Sequence, residues 1–416
     1  MTRIDADWLR DADLQRLLAA LSGPGEDGGE AELARVVGGA IRNTILGQPV
    51  SDIDIATTCP PAVTVARATA AGFKTVPTGI EHGTVTVIAN RRPFEVTTLR
   101  RDVETNGRHA VVAFGRDWQA DAERRDFTIN ALYCEADGTV VDLVGGLADI
   151  ERQTLRFIGD ASARIEEDYL RILRFFRFFA WYGAGRPDGD GLRAATRLKG
   201  GLTKLSAERV WAELRKLLAA PDPSRALLWA RQTGVLTLIL PESERWGIDG
   251  IHGLMAAEHL YGWPADPLLR LECIVPPDPA RLAELSTRLK LSNIDRDRLK
   301  AFAEADPVSP EGSEAAFRLK LYFADRGGLL DRLRLQLAVS AAKGLDAAGA
   351  TAALARLVKT AESFDPPSFP VTGADLQDLG MKPGKELGAV LQELKLAWVE
   401  SGFVLSREKL LARVTA

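Results

Sequence analysis

The abrupt loss of strand-like segments near residue 150 is the feature that most constrains the fold of this chain. Before that point, short runs rich in β-branched residues alternate with turn residues, as in "HGTVTVIA" and "PFEVTTL". After it, helical patterns continue to the C-terminus and are interrupted by breaker runs such as "VPPDPA" and "FDPPSFP". This order predicts an α+β N-terminal region with a mostly helical remainder.

Composition narrows the class of protein. The 416 residues exceed one ordinary core, so about two to four domains are expected. The three cysteines are scattered without CxxC spacing, which argues against a zinc site or a disulfide framework and favours a reducing, cytoplasmic location. The sequence contains no apolar run of about 18 residues, so no membrane span is expected.

Charge is distributed unevenly along the chain. The net charge of −4 gives no sign of a nucleic-acid partner. Residues 151–216, however, contain 14 Lys and Arg against 9 Asp and Glu, a net charge of +5. A local basic surface of this kind is where a polyanion would bind. For such a stretch taken alone, a solvated helix face with ordinary salt bridges is the favoured alternative.

The stretch "SDIDIA" alternates like a strand but has acids at its polar positions. In a strand, Asp52 and Asp54 would point to one side, with Cα atoms about 6.6–6.8 Å apart. Ile53 and Ile55 would point to the core. Two carboxylates at this spacing can hold one or two hard cations such as Mg²⁺. The alternative is a strand face that simply meets solvent.

Glu95 supplies a third acid in the strand-like run "RPFEVTTLR", between the core-facing Phe94 and Val96. If this strand pairs beside the first, Glu95 lies on the same polar face as the two aspartates. The three carboxylates would then form a two-metal phosphoryl-transfer site. Glu95 could equally be a surface acid paired to Arg92 or Arg100.

A pair of glycines precedes the aspartates. Gly38 and Gly39 follow a predicted strand and open a short helix, which allows a sharp turn and a close approach to a ligand. The helix N-terminus suits phosphate, and Arg42 would add a bidentate donor. A plain tight turn is the alternative. Farther on, "ERRDFTINALYC" offers Arg125 for phosphate, with Asp126 to orient an arginine or to cap the next segment.

The stretch "EEDYLRILRFFRFFAWYG" spaces one acid and three arginines at intervals of three residues. On one helix, Asp168, Arg171, Arg174 and Arg177 form a drifting stripe with phenylalanines on the other sides. An Asp–Arg pair can recognise the amino group and ring acceptor of cytosine or adenine, whereas uracil and guanine present a carbonyl to the Asp. A salt-bridged helix with an aromatic core side is the alternative.

The ordered set of motifs resembles the bacterial CCA-adding tRNA nucleotidyltransferases, class II of the polymerase-beta-type superfamily. The resemblance rests on "VVGGAIRNTILGQPVSDIDIATT", "GIEHGTVTVIANRRPFEVTTLRRD", "RRDFTINAL", "DLVGGLADI" and "EEDYLRILRFFRF". It covers about residues 33–216, is looser through the helical part and returns at "VTGADLQDLGMKPGKELGAVLQELKLAWVESG".

The resemblance implies a fold and a division of the chain. The expected fold is a nucleotidyltransferase head with a small mixed β-sheet and flanking helices, followed by an all-helical neck, body and tail. The implied parts are an N-terminal helical extension (1–32), the catalytic head (33–150), the neck that recognises the nucleotide (151–218), the helical body (219–365) and the tRNA-binding tail (366–416).

Residue roles also follow from the resemblance. Asp52 and Asp54 match the two Mg²⁺ ligands, and Glu95 matches the third catalytic carboxylate. The positions that match nucleotide-binding residues are Gly38, Gly39, Arg42, Arg125, Asp168, Arg171, Arg174 and Arg177. Within that group, Asp168 and Arg171 match the protein template for C and A. The segment from Arg101 to Asp117 matches a mobile loop that helps the switch from CTP to ATP.

The implied activity is addition of C, C and A to the 3′ end of tRNA from CTP and ATP. Asn43 departs from the Asp that often follows the motif arginine, which predicts a changed local network with retained chemistry. The expected partners are tRNA, CTP and ATP, with no membrane or protein partner, and the chain is expected to be a monomer or homodimer. No His-Asp phosphohydrolase domain is seen, so no phosphatase activity is expected.

Three alternatives remain open from the sequence. Two are enzymes: a bacterial poly(A) polymerase and a partial enzyme that adds only CC or only A. The third is a catalytically inactive RNA-binding protein built on the same head, which the intact Asp52, Asp54 and Glu95 disfavour.

Overall fold

The structure is a computed structural model that describes residues 2–25, 29–106 and 109–415 of the chain. The chain divides into two compact units, Met1–Ile239 and Leu240–Ala416. Strands occur in the first unit and helices continue through the second. The α+β class predicted from the sequence is therefore confirmed, with a small mixed sheet near the N-terminus.

Within the described residues, the strands form a seven-stranded sheet and a separate two-stranded hairpin. The sheet order is β3-β4-β5-β2-β1-β8-β9, and β6 pairs with β7. β2 and β5 run parallel, whereas the other neighbours are antiparallel. The strands are β1 (Ala34–Val37), β2 (Asp54–Thr57), β3 (Lys74–Gly79), β4 (Thr84–Ala89), β5 (Arg92–Thr98), β6 (Arg100–Asn106), β7 (His109–Phe114), β8 (Leu132–Cys134) and β9 (Val140–Asp142).

Helices flank the sheet and complete the first unit. They are α1 (Ala12–Leu21), α2 (Gly39–Ile45), α3 (Pro61–Ala70), α4 (Trp118–Glu123), α5 (Gly146–Glu151), α6 (Ala161–Glu167), α7 (Leu170–Tyr182), α8 (Gly189–Leu198), α9 (Ala207–Leu218), α10 (Ser224–Gln232) and α11 (Val235–Ile239). The sequence predicts one helix over about residues 5–21, but a 3₁₀ turn ends at Arg10 and α1 starts afresh. Asp11 separates them because its carboxylate accepts the Leu14 N–H at 2.9 Å and caps α1.

Helix α7 is anchored by an aromatic core. Phe175, Phe176, Phe178 and Phe179 are all buried, as the sequence pattern predicts. Phe127, which follows α4, and Phe157, which precedes α6, pack against Phe175 with ring centroids 6.4 and 5.4 Å apart. Aromatic burial of this extent fixes α7 against the segments that carry the candidate site.

In the described part of the second unit, the regular elements are all helices. Its helices are α12 (Ser243–Trp246), α13 (Gly250–Tyr261), α14 (Pro267–Ile274), α15 (Pro279–Arg288), α16 (Asn293–Glu304), α17 (Glu314–Phe323), α18 (Arg326–Ala342), α19 (Ala348–Ser363), α20 (Gly373–Asp378), α21 (Lys385–Glu400) and α22 (Arg407–Thr415). The breaker run "VPPDPA" starts directly after α14 and extends into the first two residues of α15, so it separates the two helices as predicted. One apolar core includes Leu329, Leu333 and Leu337 of α18, and another surrounds Trp398 of α21.

Among the described residues, no helix combines the length and apolar character needed to cross a membrane.

Candidate active site

Two candidate carboxylates lie at the start of β2. β2 begins at Asp54, opposite Val37, so Asp52 precedes the strand rather than lying within it as the sequence predicted. The pairing begins at Asp54 because its partner strand β1 ends at Val37. Burial still alternates through this stretch, with Ile53 and Ile55 buried and both aspartates exposed. The two carboxylates therefore share one side of the chain.

Glu95 lies directly beside this pair. β2 and β5 are parallel neighbours, and their register places Glu95 next to Asp54. Phe94 and Val96 on either side are 0% and 1% exposed, so Glu95 points away from the core. The strand pairing on which the predicted position of Glu95 depended is thus present.

The electrostatics of the three acids reflect their proximity. Partial burial, followed by the charges of Glu95 and Asp52, raises the pKa of Asp54, while Arg125 acts in the opposite direction. In the described part of the chain, no three His, Cys, Asp or Glu side chains are already arranged around a common metal position. Three carboxylates nevertheless form a hard-oxygen donor set, and a divalent cation would relieve the repulsion at Asp54. The residues present therefore fit such an ion, with Asp52 and Asp54 as the candidates to hold it.

A glycine turn adjoins these acids. Gly38 has φ of 72° and ψ of −113° and leads into α2. Its N–H donates to the Leu132 carbonyl at 2.9 Å, and a Cβ on Gly38 would lie 3.2 Å from the Asn130 carbonyl oxygen. The left-handed φ and the close backbone together require glycine at this position.

Arg42 of α2 is buried, at 7% exposure. It donates to Tyr182 Oη at 2.8 Å and to Asn43 Oδ1 at 2.9 Å, and it also donates to Asn130 Oδ1. Its guanidinium lies 4.0 Å from the Tyr182 ring centroid. Burial lowers the pKa of Arg42, and Tyr182 opposes that effect. Arg42 thus joins α2 to the end of α7, and its predicted contact with phosphate stays a prediction.

Arg124 and Arg125 are both held by Asp121 of α4. Arg124 Nη2 lies 2.6 Å from Asp121 Oδ1, and Arg125 Nη2 lies 3.0 Å from Oδ2. Tyr133 Oη donates to the same carboxylate at 2.8 Å. Burial would raise the pKa of Asp121, but the charges of Arg125 and Arg124 outweigh it and lower the pKa. The arginine beside the three acids is therefore positioned by a buried carboxylate.

Asp126 pairs with the α7 arginine stripe instead of with Arg125. Arg174 Nη2 lies 2.6 Å from Asp126 Oδ2, and Asn130 Nδ2 donates to Oδ1 at 3.1 Å. Burial opposes ionisation of Asp126, but Arg174 and Asn130 prevail and lower its pKa. Arg177 in turn donates through Nε to Glu213 of α9 at 2.6 Å. Two of the predicted stripe arginines are thus bound to buried acids.

Asp168 does not lie on the helix that carries the arginines, which corrects the single-helix stripe predicted from the sequence. Its backbone is extended, with φ of −154°, between α6 and α7. The Asp168 carboxylate accepts the Leu170 N–H at 3.1 Å, and this local bond competes with helix continuation. Its second oxygen accepts Arg209 Nη2 of α9 at 2.6 Å.

Arg171, which is predicted to recognise the base together with Asp168, is held by residues of α6. Its Nη1 donates to the Arg164 carbonyl at 2.8 Å and also to the Glu167 carboxylate. Asp168 and Arg171 are therefore each fixed by a different partner. Both of these bonds use Nη1 of Arg171. A guanidinium has five N–H donors, so these two bonds do not use those of Nε and Nη2.

Several positioning residues were missed by the sequence interpretation. Asp121 had a local signal, since it precedes Arg124 and Arg125 by three and four residues, at the end of α4. Arg209 and Glu213 had none, because they lie 41 and 36 residues from Asp168 and Arg177. Their contacts arise from the packing of α9 against α7.

The segment matched to a mobile loop, Arg101 to Asp117, forms most of the β6–β7 hairpin and the residues before α4. Residues 107–108 of that segment lie outside the described residues, and its mobility stays a prediction.

Comparisons with known proteins agree with this geometry. A family profile described as "Poly A polymerase head domain" matches residues 34–156, and one described as "Probable RNA and SrmB- binding site of polymerase A" matches residues 189–246. The mitochondrial CCA tRNA nucleotidyltransferase 1 of Mus musculus is 32% identical over 395 residues, which cover 91% of this chain and 86% of the relative. The chain belongs to the CCA tRNA nucleotidyltransferase family.

Other members of the CCA tRNA nucleotidyltransferase family support this assignment. The CCA-adding enzyme of Streptococcus gordonii is 33% identical over 379 residues, 88% of this chain and 89% of the relative. The crystal structure of the Bacillus stearothermophilus CCA-adding enzyme in complex with CTP superposes with a TM-score of 0.69 at 27% identity, and 97% of each chain is covered. Nucleotidyltransferases of this family generally use a divalent metal.

Proposed function

We propose that this chain adds C, C and A to the 3′ end of tRNA, without a nucleic-acid template, from CTP and ATP. The observation that carries the proposal is the register of β2 and β5, which sets Glu95 beside Asp54 with Asp52 on the same side. A row of three carboxylates in a chain of this family supports nucleotidyl transfer at this edge of the sheet.

The reaction joins the tRNA 3′ oxygen to the α-phosphorus of the nucleotide. The hydroxyl loses its proton, the bond from the α-phosphorus to the bridging oxygen breaks, and pyrophosphate leaves. Asp52 and Asp54 would hold Mg²⁺. The bound ion would lower the pKa of the attacking hydroxyl and offset the negative charge of the triphosphate. Glu95 is proposed as the third catalytic carboxylate of this group.

Binding of the triphosphate is assigned to the glycine turn and two arginines. The Gly38 conformation lets the backbone at the start of α2 approach a phosphate closely. Arg125, held by Asp121 at 3.0 Å, presents its guanidinium near Asp54. We assign Gly38, Gly39, Arg42 and Arg125 to nucleotide binding.

Selection of the base is proposed for the start of α7. The Asp168 carboxylate would accept the amino group of cytosine or adenine, and Arg171 would donate to the adjacent ring acceptor. Arg209 fixes Asp168 and Glu167 fixes Arg171, so both groups are oriented before a nucleotide arrives. Arg174 and Arg177 extend the same nucleotide-binding surface, with Asp126 and Glu213 holding them.

The wider organisation is part of the proposal. We assign residues 1–32 to an N-terminal extension, 33–150 to the catalytic head, 151–218 to the neck, 219–365 to the body and 366–416 to a tRNA-binding tail. We infer a cytoplasmic enzyme acting as a monomer or homodimer. The free thiols of Cys59, Cys134 and Cys273 suit a reducing compartment.

Product length tests the function directly. The purified chain is given a tRNA that lacks CCA, with CTP, ATP and Mg²⁺, and the products are resolved at single-nucleotide length. Growth by three residues ending in CCA is expected. A long A tail would indicate a poly(A) polymerase, growth by CC or A alone would indicate a partial enzyme, and tRNA binding without growth would indicate an inactive RNA-binding protein.

A further inference from the structure

Three arginines surround one aromatic ring, that of Phe178 in α7. The guanidinium carbon lies 4.2 Å from the ring centroid in Arg177, 5.3 Å in Arg174 and 5.4 Å in Arg42 of α2. Phe178 is 6% exposed, so these contacts are largely shielded from water. A guanidinium over an aromatic face is attracted by the quadrupole of the ring, and the attraction strengthens when the groups are desolvated. The ring therefore stabilises three positive charges that repel one another.

The place of this ring follows from the helical spacing of α7. Arg174, Phe178 and Tyr182 are spaced four residues apart and so share one face of the helix. The ring centroid of Tyr182 lies 5.7 Å from that of Phe178, and the centroid of Phe127 lies 5.3 Å from it. These aromatic contacts fix the orientation of the Phe178 ring.

Two of the three arginines are paired with buried acids. Arg174 Nη2 lies 2.6 Å from Asp126 Oδ2, and Arg177 Nε donates to Glu213 Oε2 at 2.6 Å. Asp126 and Glu213 thus offset two positive charges. The Arg174 side chain nevertheless stays 31% exposed, so part of this group of arginines remains accessible to a nucleotide.

Arg42 is the third guanidinium, and its hydrogen-bond partners are neutral. It donates to Tyr182 Oη at 2.8 Å and to Asn43 Oδ1 at 2.9 Å, and also to Asn130 Oδ1. In the part of the chain that the structure describes, no carboxylate forms an ion pair with Arg42. Burial lowers the pKa of Arg42, Tyr182 opposes that effect, and the charge of Arg177 lowers the pKa further. Three positive charges are therefore close together with two acids to offset them.

We propose that Phe178 is a positioning residue for nucleotide binding, whose ring holds the guanidinium groups of Arg42, Arg174 and Arg177 together against their mutual repulsion. The anionic nucleotide would then supply the negative charge that the two acids leave missing. Phe178 acts through the arginines, because its own ring is buried among them. This inference rests on the proposed function, which assigns the three arginines to nucleotide binding.

The test variant is Phe178→Leu, which keeps an apolar side chain and removes the ring. The matched control is Phe179→Leu on the same helix, since Phe179 is also buried and, among the described residues, no guanidinium lies over its ring. In CMP addition to a tRNA that lacks CCA, Phe178→Leu should raise KM for CTP about tenfold and leave KM for tRNA unchanged. Phe179→Leu should keep the wild-type KM for both substrates. An equal rise of KM for CTP in the two variants would show a merely structural role and overturn the proposal.

A second variant retains the shape of the ring and remains decisive if Phe178→Leu does not fold. Replacement of Phe178 by pentafluorophenylalanine reverses the ring quadrupole, so CTP should bind about tenfold more weakly. CTP affinity is measured by calorimetry in the absence of tRNA, which requires no turnover. Wild-type affinity in the fluorinated protein would overturn the proposal. A wild type that binds CTP but adds no CMP would contradict the proposed function instead, and the calorimetric comparison would still decide the role of Phe178.

Discussion

At the scale of single residues, Asp54 shows how a proposed catalytic position conflicts with stability. Its pKa is raised by partial burial and by the neighbouring Glu95 and Asp52, so ionised Asp54 is less favourable in the folded chain than in the unfolded chain. This cost is absent below the unfolded pKa and grows as the pH rises through the folded pKa. A bound divalent cation would offset it.

Asp54→Asn should therefore stabilise the chain in EDTA at pH 7.5, by about 1 kcal/mol or less because the side chain is partly in water. The gain should disappear near pH 3.5, where the wild-type carboxyl is protonated too. Added Mg²⁺ should raise the unfolding midpoint of the wild type more than that of Asp54→Asn. A variant that is less stable than the wild type at pH 7.5 in EDTA would contradict this electrostatic account.

Arg209 is predicted to act through Asp168, which it holds at 2.6 Å. Arg209→Gln should weaken discrimination of CTP and ATP against UTP and GTP by roughly tenfold, since a charge-assisted contact contributes about 1.5–3 kcal/mol. The readout is the ratio of incorporation rates for the four nucleotides, which a general loss of stability would not change selectively. Arg193→Gln, on an exposed pair of α8, is the control. Equal ratios in Arg209→Gln and the wild type would exclude the positioning role.

At the scale of elements, the turn between β1 and α2 depends on glycine for two reasons. Gly38 has φ of 72° and also lies close to the Asn130 carbonyl, whereas Gly47 has φ of 64° with nothing within 4 Å of an added Cβ. Gly47→Ala should therefore lower the free energy of unfolding by the cost of backbone strain alone, about 1–2 kcal/mol, without a steric contribution. Gly38→Ala should be more destabilising in urea unfolding and should also raise KM for CTP. Equal behaviour of the two variants would show that the close approach is unimportant.

Elements were predictable where they depend on local patterns. The runs "HGTVTVIA" and "PFEVTTL" coincide with β4 and β5, and the breaker runs separate the helices of the second unit. Pairing was not predictable in the same way, because the parallel contact of β2 with β5 joins residues about 40 positions apart. The strand β3 was missed, since Pro77 and Gly79 interrupt its pattern.

In the candidate site, too, features set by neighbouring residues were predictable, whereas contacts between residues far apart in the sequence were not. The spacing of Asp52 and Asp54 and the glycine pair before α2 are visible in the sequence, but by themselves they left a solvent-facing strand and a plain turn open. The break at Asp168 is set by a side-chain bond to Leu170, which a three-residue periodicity does not reveal. The partners Arg209 and Glu213 come from α9, so their roles depend on how α7 and α9 pack.

At the scale of the whole molecule, the chain divides into two compact units. In the second unit, Arg270 and Glu258 form a buried ion pair at 2.6 Å, with exposures of 2% and 6%. Glu258→Gln should destabilise the chain by about 3–5 kcal/mol in urea unfolding, because it removes one charge of a buried ion pair. Glu304→Gln, which removes the same charge from an exposed site on α16, should change stability by less than about 0.5 kcal/mol. Similar effects of the two variants would show that the buried pair contributes little.

The central claim is that Asp52, Asp54 and Glu95 form one catalytic group on the sheet. Its most direct test is single-turnover addition of CMP to a tRNA that lacks CCA, measured for the wild type and Asp54→Asn together with tRNA affinity. We predict that Asp54→Asn binds tRNA as tightly as the wild type and adds CMP at least about 10³-fold more slowly, a loss of about 4 kcal/mol in transition-state stabilisation. Addition at the wild-type rate by a folded Asp54→Asn would contradict the account.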